Sequence, residues 1–150
     1  MCGRRASISS NEARCPVKRV LQWRLHLDAV VYSRARAPFA WGSNDCALFA
    51  ADCVQAVTGQ DLAAELRGHK DARGAARTLR RHGGLAAIAT RALGAPCATV
   101  AAREGDVVLM PVGKRVALAV CVSGAHAIGP TRSGLAIVPV ADALHCWKVG

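Results

Sequence analysis

No run of apolar residues in this sequence is long enough to cross a membrane. A span needs about 20, and Arg, Lys, Asp or His interrupts every candidate stretch. The N-terminal "MCGRRASISSNEARCPVKR" is basic, but no apolar segment follows it, so no secretory signal is expected. Such a protein is made in the cytoplasm and leaves a cell only as part of something larger. There is no C-x-x-C and no paired Cys/His knuckle, which leaves a zinc site, an iron–sulfur site or any other cofactor without a ligand pattern. The seven cysteines (Cys2, Cys15, Cys46, Cys53, Cys97, Cys121 and Cys146) are odd in number and irregular in spacing. With no export signal, they read as reduced and mostly inert thiols. G-x-S-x-G, the P-loop and carboxylate pairs at useful spacing are absent too, as are internal repeats. Thiol-based acyl transfer or hydrolysis is the one catalytic chemistry left.

Carboxylates are scarce as well. Ten Asp and Glu stand against twenty Lys and Arg, for a net charge of +10 in 150 residues. The excess is uneven: residues 1–36 hold Arg4, Arg5, Arg14, Lys18, Arg19, Arg24, Arg34 and Arg36 against only Glu12 and Asp28. A basic arm and first helix suit docking on an acidic surface, and Arg19 and Arg24 are its candidate contacts. A solvated helix face accounts for the same charges. No aromatic residues interleave the basic ones in a stacking pattern, which speaks against single-stranded nucleic acid, and nucleic acid is not the expected partner. Apolar residues make up 52% of the chain, enough for one domain with a real core.

Residues 1–15 read as a flexible basic arm, and 16–150 as a single domain. Pro16 suits a first helical turn, with Val17, Val20, Leu21, Leu27, Val30 and Val31 as a buried stripe and Pro38 as the stop. In "FAWGSNDCALFAADCV" (39–54), Ser43, Asn44 and Asp45 are all good N-caps. Cys46, Phe49, Ala50, Cys53, Val54 and Val57 then recur at helical spacing up to Thr58-Gly59. A short helix is predicted over Gln60 to Leu66, a basic amphipathic one over Asp71 to His82, and another over Leu85 to Leu93. Beyond Pro96 the segments "GDVVLMPV", "RVALAVCVSG", "AHAIGP", "SGLAIVPV" and "LHCWKV" are short, β-branched and split by Gly, Pro and Ser. They predict four or five antiparallel strands. Helices first and strands second predict an α+β domain with the helices on one face of the sheet.

Cys46 is the candidate nucleophile, since a thiol in the first turn of a helix feels unsatisfied N–H groups that favour the thiolate. Asp45 beside it opposes that effect, and its place in the apolar stripe equally suits a small buried hydrophobe. Of the five histidines, His126 is the candidate base, because it opens a strand that a helix-packed sheet can present to the start of the Cys46 helix. A partly exposed strand histidine is its bland alternative. His26 is expected on the polar side of the first helix, His69 and His82 exposed, and one of His145 and Cys146 facing the core. Asp106 reads as an Asx-turn residue entering a strand, and Asp52 as a surface or helix–helix polar contact.

A helix headed by "NDCALFAADCV", further helices, "GDVVLM" and a glycine-punctuated meander resemble the NlpC-type cysteine peptidases, small papain-like enzymes that cut peptidoglycan stem peptides. The chain is more closely similar to a divergent family of small phage and prophage proteins of unknown function encoded among tail genes. That likeness lies in "PFAWGSNDCALFAADCV", "TGQDLAAELRG", "RRHGGLAAIATRALG", "GDVVLMPVG", "GLAIVPV" and "CWKVG", from about residue 20 to the end. The resemblance implies an NlpC-like fold with Cys46 in the nucleophile position. It also places Ala117 where the peptidases carry the base histidine, and the orienting position near Ile128 or Gly129, so the triad is incomplete. Without its base a papain-like site loses the group that activates the thiol. The expectation is a virion-tail protein, in the tail tip or baseplate, with a structural or assembly role. Its implied partners are tail hub or baseplate proteins. The alternative is an active peptidoglycan amidase using Cys46 with His126 during envelope penetration.

Overall fold

The structure is a computed structural model that describes residues 17–150; the arm expected at 1–15, and Pro16, lie outside the described residues. Four α-helices come first: α1 (Trp23–Arg34), α2 (Cys46–Thr58), α3 (Ala72–His82) and α4 (Leu85–Leu93). Five strands follow: β1 (Val107–Val112), β2 (Arg115–Cys121), β3 (His126–Thr131), β4 (Gly134–Pro139) and β5 (His145–Trp147). The sheet runs β4-β3-β2-β1-β5, and every pairing is antiparallel. The predicted α+β layering is therefore present, with short 3-10 turns at Ala64–Leu66, Thr99–Ala101 and Val140–Asp142. The first of these is all that forms of the helix expected over 60–66.

The α2 stripe behaves as its spacing requires. Phe49, Ala50, Cys53, Val54 and Val57 are buried and meet Leu109, Leu118, Val120, Ile128 and Trp147 from the sheet. Burying each large apolar side chain contributes roughly 1.5–3 kcal/mol. Trp147 satisfies its indole N–H by donating to Thr90 Oγ1 at 3.1 Å, which lets the largest core side chain be fully enclosed. Gly59 ends α2 at φ 77°, with its N–H on the Gln55 carbonyl. A second, smaller cluster fills the opposite face of the sheet, where Val108, Met110, Ala119, Cys121, Ala127 and Cys146 are covered by Ala102 and Val140. Strand alternation sends neighbouring residues to these two cores.

The first helix departs from expectation. It starts at Trp23 rather than near Pro16, and Leu21, expected in the buried stripe, is 87% exposed. The reason is tertiary. The Val20 N–H donates to the Val57 carbonyl at 2.9 Å, so residues 17–20 run extended across the end of α2. From that path Arg19 reaches inward: its guanidinium donates to the carbonyls of Val149 and Glu104, each at 2.8 Å, and to Asp106 Oδ1 at 3.2 Å. The Arg19 and Arg24 guanidiniums also lie 4.2 and 4.4 Å from the Trp23 ring centre.

Asp106 is the centre of this arrangement. Its side chain is 0% exposed, yet it takes hydrogen bonds from the Arg103 N–H at 2.9 Å, the Val149 N–H at 3.0 Å, Arg19, and Lys148 Nζ at 2.7 Å. The local bond runs back three residues to the Arg103 N–H and not forward two as the expected Asx-turn requires, and it is one of four. A buried carboxylate with two cationic partners and two amides is fully satisfied, and removing it strands all four donors. Asp106→Ala is expected to lose about 3–5 kcal/mol of folding free energy, with Asp106→Asn losing less, as measured by urea denaturation.

Candidate functional site

The start of α2 is where the sequence places chemistry, and three residues build it. Of the three candidate caps, Asp45 is used: Oδ1 accepts the Leu48 N–H at 2.9 Å, and Oδ2 accepts the Gly42 N–H at 3.0 Å. Asn44 instead pins the preceding loop, donating to the Ala37 and Pro38 carbonyls while its Oδ1 accepts from Arg34 at 3.1 Å. Gly42 has to be glycine, because it sits at φ 84° and a Cβ there would lie 2.1 Å from the His69 carbonyl oxygen.

That contact brings in a residue the sequence did not mark. His69, expected to be exposed, has a side chain only 6% exposed, and its Nε2 lies 2.6 Å from Asp45 Oδ2. Nδ1 is buried with no hydrogen-bond partner among the described residues. A histidine between Gly68 and Lys70 in a polar loop carries no local signal that would link it to position 45.

Cys46 itself is only partly buried, with its sulfur against the backbone amide of Leu118. Burial pushes its thiol pKa up and the Asp45 charge adds to this, while the amides of Leu118, Ala47 and Cys46 pull it down without prevailing. At neutral pH Cys46 is a thiol, whereas the thiolate is the nucleophile. Beside it, between α2, α4 and the sheet, lies a cavity of about 40 Å³ lined only by apolar side chains, among them Ala47, Ala50, Leu62, Ile88 and Leu118. Nothing in that lining can orient an amide substrate.

His126 is exposed and opens β3 as expected, but the structure does not bring it to Cys46. Its carbonyl accepts the Val122 N–H at 2.9 Å, so it lies opposite Val122, four residues along β2 from Leu118. At strand spacing that is about 13 Å, beyond the reach of an imidazole seeking a hydrogen bond. Ala117 is also displaced from the role that the resemblance implies. It pairs with Met110, which packs in the core on the face away from the helices, whereas Leu118 faces α2. A histidine at 117 in this register would project from the face opposite Cys46. Ile128, near the implied orienting position, is part of the main core, and Gly129 has no side chain.

The remaining candidates have structural partners. Asp52 joins α1 to α2 and to the loop before α3, bonding Arg34 at 2.5 Å and Arg67 at 2.8 Å. Arg19, expected as a docking contact, is only 17% exposed in its side chain and belongs to the interior network. Arg24 stays outside, paired with Glu104 at 2.7 Å. His26 and His145 are exposed, while Cys146 is buried as one of the 145–146 pair had to be. Among the described residues no three His, Cys, Asp or Glu side chains converge as a metal-ligand set, and no helix is long and apolar enough to cross a membrane.

The family model described as a domain of unknown function, DUF6950, matches residues 18–149, and the chain belongs to that family. No curated protein and no solved structure gives a significant match.

Asp45→Ala removes a helix cap, the Gly42 anchor and the His69 partner together. It is expected to cost about 2–4 kcal/mol in urea denaturation, against a smaller loss for Asp45→Asn. A second expectation concerns alkaline pH. Burial, then the Asp106 charge, pushes the Cys121 thiol up to about 12, and burial also raises Cys46, Cys53 and Cys146. Folded values above the unfolded value of about 8.5 mean that the folded state holds these protons more tightly. Their contribution is complete below about pH 8.5 and is lost as pH rises toward the folded values. The denaturation midpoint should therefore fall between about pH 9 and 11, and Cys121→Ala should make that fall shallower.

Proposed function

We propose that this member of the family is a phage-tail-associated protein, a component of the tail tip or baseplate, in which an NlpC-like architecture serves assembly and no longer hydrolysis. The observation that carries the non-catalytic part is the setting of Cys46: a thiol kept protonated by burial against the Leu118 backbone, one residue before Ala47 of an apolar-lined cavity, with His126 out of reach. The two groups a papain-like site needs next to its sulfur are a base and a polar cleft, and here leucine and alanine occupy that space. His69 is bound through Nε2 to Asp45, the cap of α2, and is not among the groups that act on the Cys46 thiol.

The NlpC-like reading is supported by the order of parts, a cysteine-headed helix packed across an antiparallel meander entered through Gly105-Asp106. Tail association is supported by the sequence likeness of 38–54, 58–68, 80–94 and 105–113 to proteins encoded among tail genes. Under this reading the partners are tail hub or baseplate proteins, met through surfaces remote from Cys46.

Two measurements test it. Purified peptidoglycan incubated with wild type and with Cys46→Ala should release no stem-peptide fragments in either case, and an iodoacetamide probe should label Cys46 faster in urea than in the folded protein. Fragment release that vanishes in Cys46→Ala would establish the amidase instead. Quantitative mass spectrometry of purified virions should find the chain at a constant ratio to the major tail protein, and its absence from virions would end the tail reading.

A further inference from the structure

The outer face of α3 carries a feature that neither the core nor the Cys46 region uses. Arg73, Arg77, Arg80 and Arg81 are all exposed, and their spacing of four, three and one puts them on one side of the helix. Lys70 lies one turn ahead of them. Among the described residues none of these five takes part in a salt bridge. The opposite side of the helix holds the buried Ala75 and the partly buried Leu79.

Helix stability does not explain the stripe. Arg80 and Arg81 in the last turn complement the negative end of the helix, but Arg73 stands in the first turn, where positive charge is unfavourable. Arg73 with Arg77, Arg77 with Arg80, and Arg77 with Arg81 are like-charge neighbours at helical spacing, and each such pair destabilises the helix. The arrangement costs the fold something and gains it no salt-bridge partner among the described residues.

We propose that the arginine face of α3 is a docking surface for the phosphate backbone of duplex nucleic acid, bound without regard to sequence. From Arg73 to Arg81 the helix rises about 12 Å, a length over which a duplex presents about seven phosphates. Guanidinium forks bond phosphate oxygens in bidentate fashion. The face has no aromatic side chain on which unpaired bases could stack, which disfavours a single strand. It also lacks the apolar or aromatic anchor that protein interfaces concentrate at their centre; Ala76, Gly83 and Gly84 are what lies between and beyond the arginines. Among the described residues the exposed large apolar side chains, such as Leu25, Tyr32, Val100 and Ile137, all lie on other elements. The surface is independent of Cys46 and of the reading given above for the whole protein.

The test is fluorescence anisotropy with a labelled, mixed-sequence DNA duplex of about 20 base pairs, over roughly 50–200 mM salt. Wild type should bind with a log–log salt slope of about −3 to −4, as for four neutralised phosphates. The variant R73Q/R77Q/R80Q/R81Q should weaken binding at least tenfold at the lowest salt and lose about three units of that slope. A control removing the same charge elsewhere, R36Q/K114Q/R115Q/R132Q, should stay within about twofold of wild type. Circular dichroism and thermal melting keep folding separate, and the α3 variant should melt no lower than wild type because its like-charge pairs are gone. Equal weakening by both variants would overturn the proposal, as would a single strand binding at least as tightly as the duplex. Absence of binding at low salt would also overturn it. Displacement by polyglutamate at matched charge as readily as by unlabelled duplex would assign the face to an acidic protein instead.

Discussion

The carboxylate of Asp106 joins the segment before α1, the loop before the sheet and the last residues of the chain at one buried point. Arg19 reaches it from the segment before α1, Arg103 from the loop before the sheet, and Lys148 and Val149 from the last residues. A buried charge is tolerable only when its lone pairs are filled, so each of these segments must arrive for the site to be affordable. This sets the course of residues 17–20, delays the start of α1 to Trp23, and seals the C-terminal strand against β1. The extended entry also explains why Val20 can donate to Val57 at the far end of α2. Trp23, between two guanidiniums, closes the same corner from outside.

Asp45 repeats the device on a smaller scale at the other end of α2. One oxygen caps the helix, and the other holds the Gly42 turn and the His69 ring. The result is a rigid helix start with Cys46 as its first residue, which is the geometry a cysteine nucleophile requires. What surrounds the sulfur is nonetheless apolar: Leu118 in front, an alanine-lined cavity beside it, and the charge of Asp45 behind. The helix start thus holds a thiol whose pKa is raised by burial, with the Asp45 charge adding to it. The basic character of the chain divides in the same way. Arg19 and Arg34 serve interior contacts, whereas α3 leaves its arginines in solvent at a cost to helix stability.

The legible parts were those governed by local periodicity and by turn chemistry. The α2 stripe, its Gly59 stop, the Asp71 cap of α3 and the limits of α4 follow from spacing within a dozen residues, and so do the five strands between their glycines and prolines. The two faces of the sheet followed as well, once the register of one strand pair was known. The short helix expected at 60–66 shrank to one 3-10 turn, where Asp61 Oδ1 takes the Ala63 N–H in a local bond, and the early start of α1 failed because the tertiary bond from Val20 to Val57 overrode propensity.

Sequence alone thus determined the α+β class, the apolar face of the central helix, and Cys46 at that helix's head, since these depend on periods of 3.6 and 2 that neighbouring residues carry themselves. Only the tertiary structure decided that Asp106 is a four-donor hub, that His69 and not His126 approaches the Cys46 turn, and that Ala117 faces away from it. Those facts rest on contacts between residues as much as 87 positions apart, together with strand register, where a shift of one residue exchanges the two faces. No local pattern records such a choice; burial and the need to satisfy every buried polar group make it.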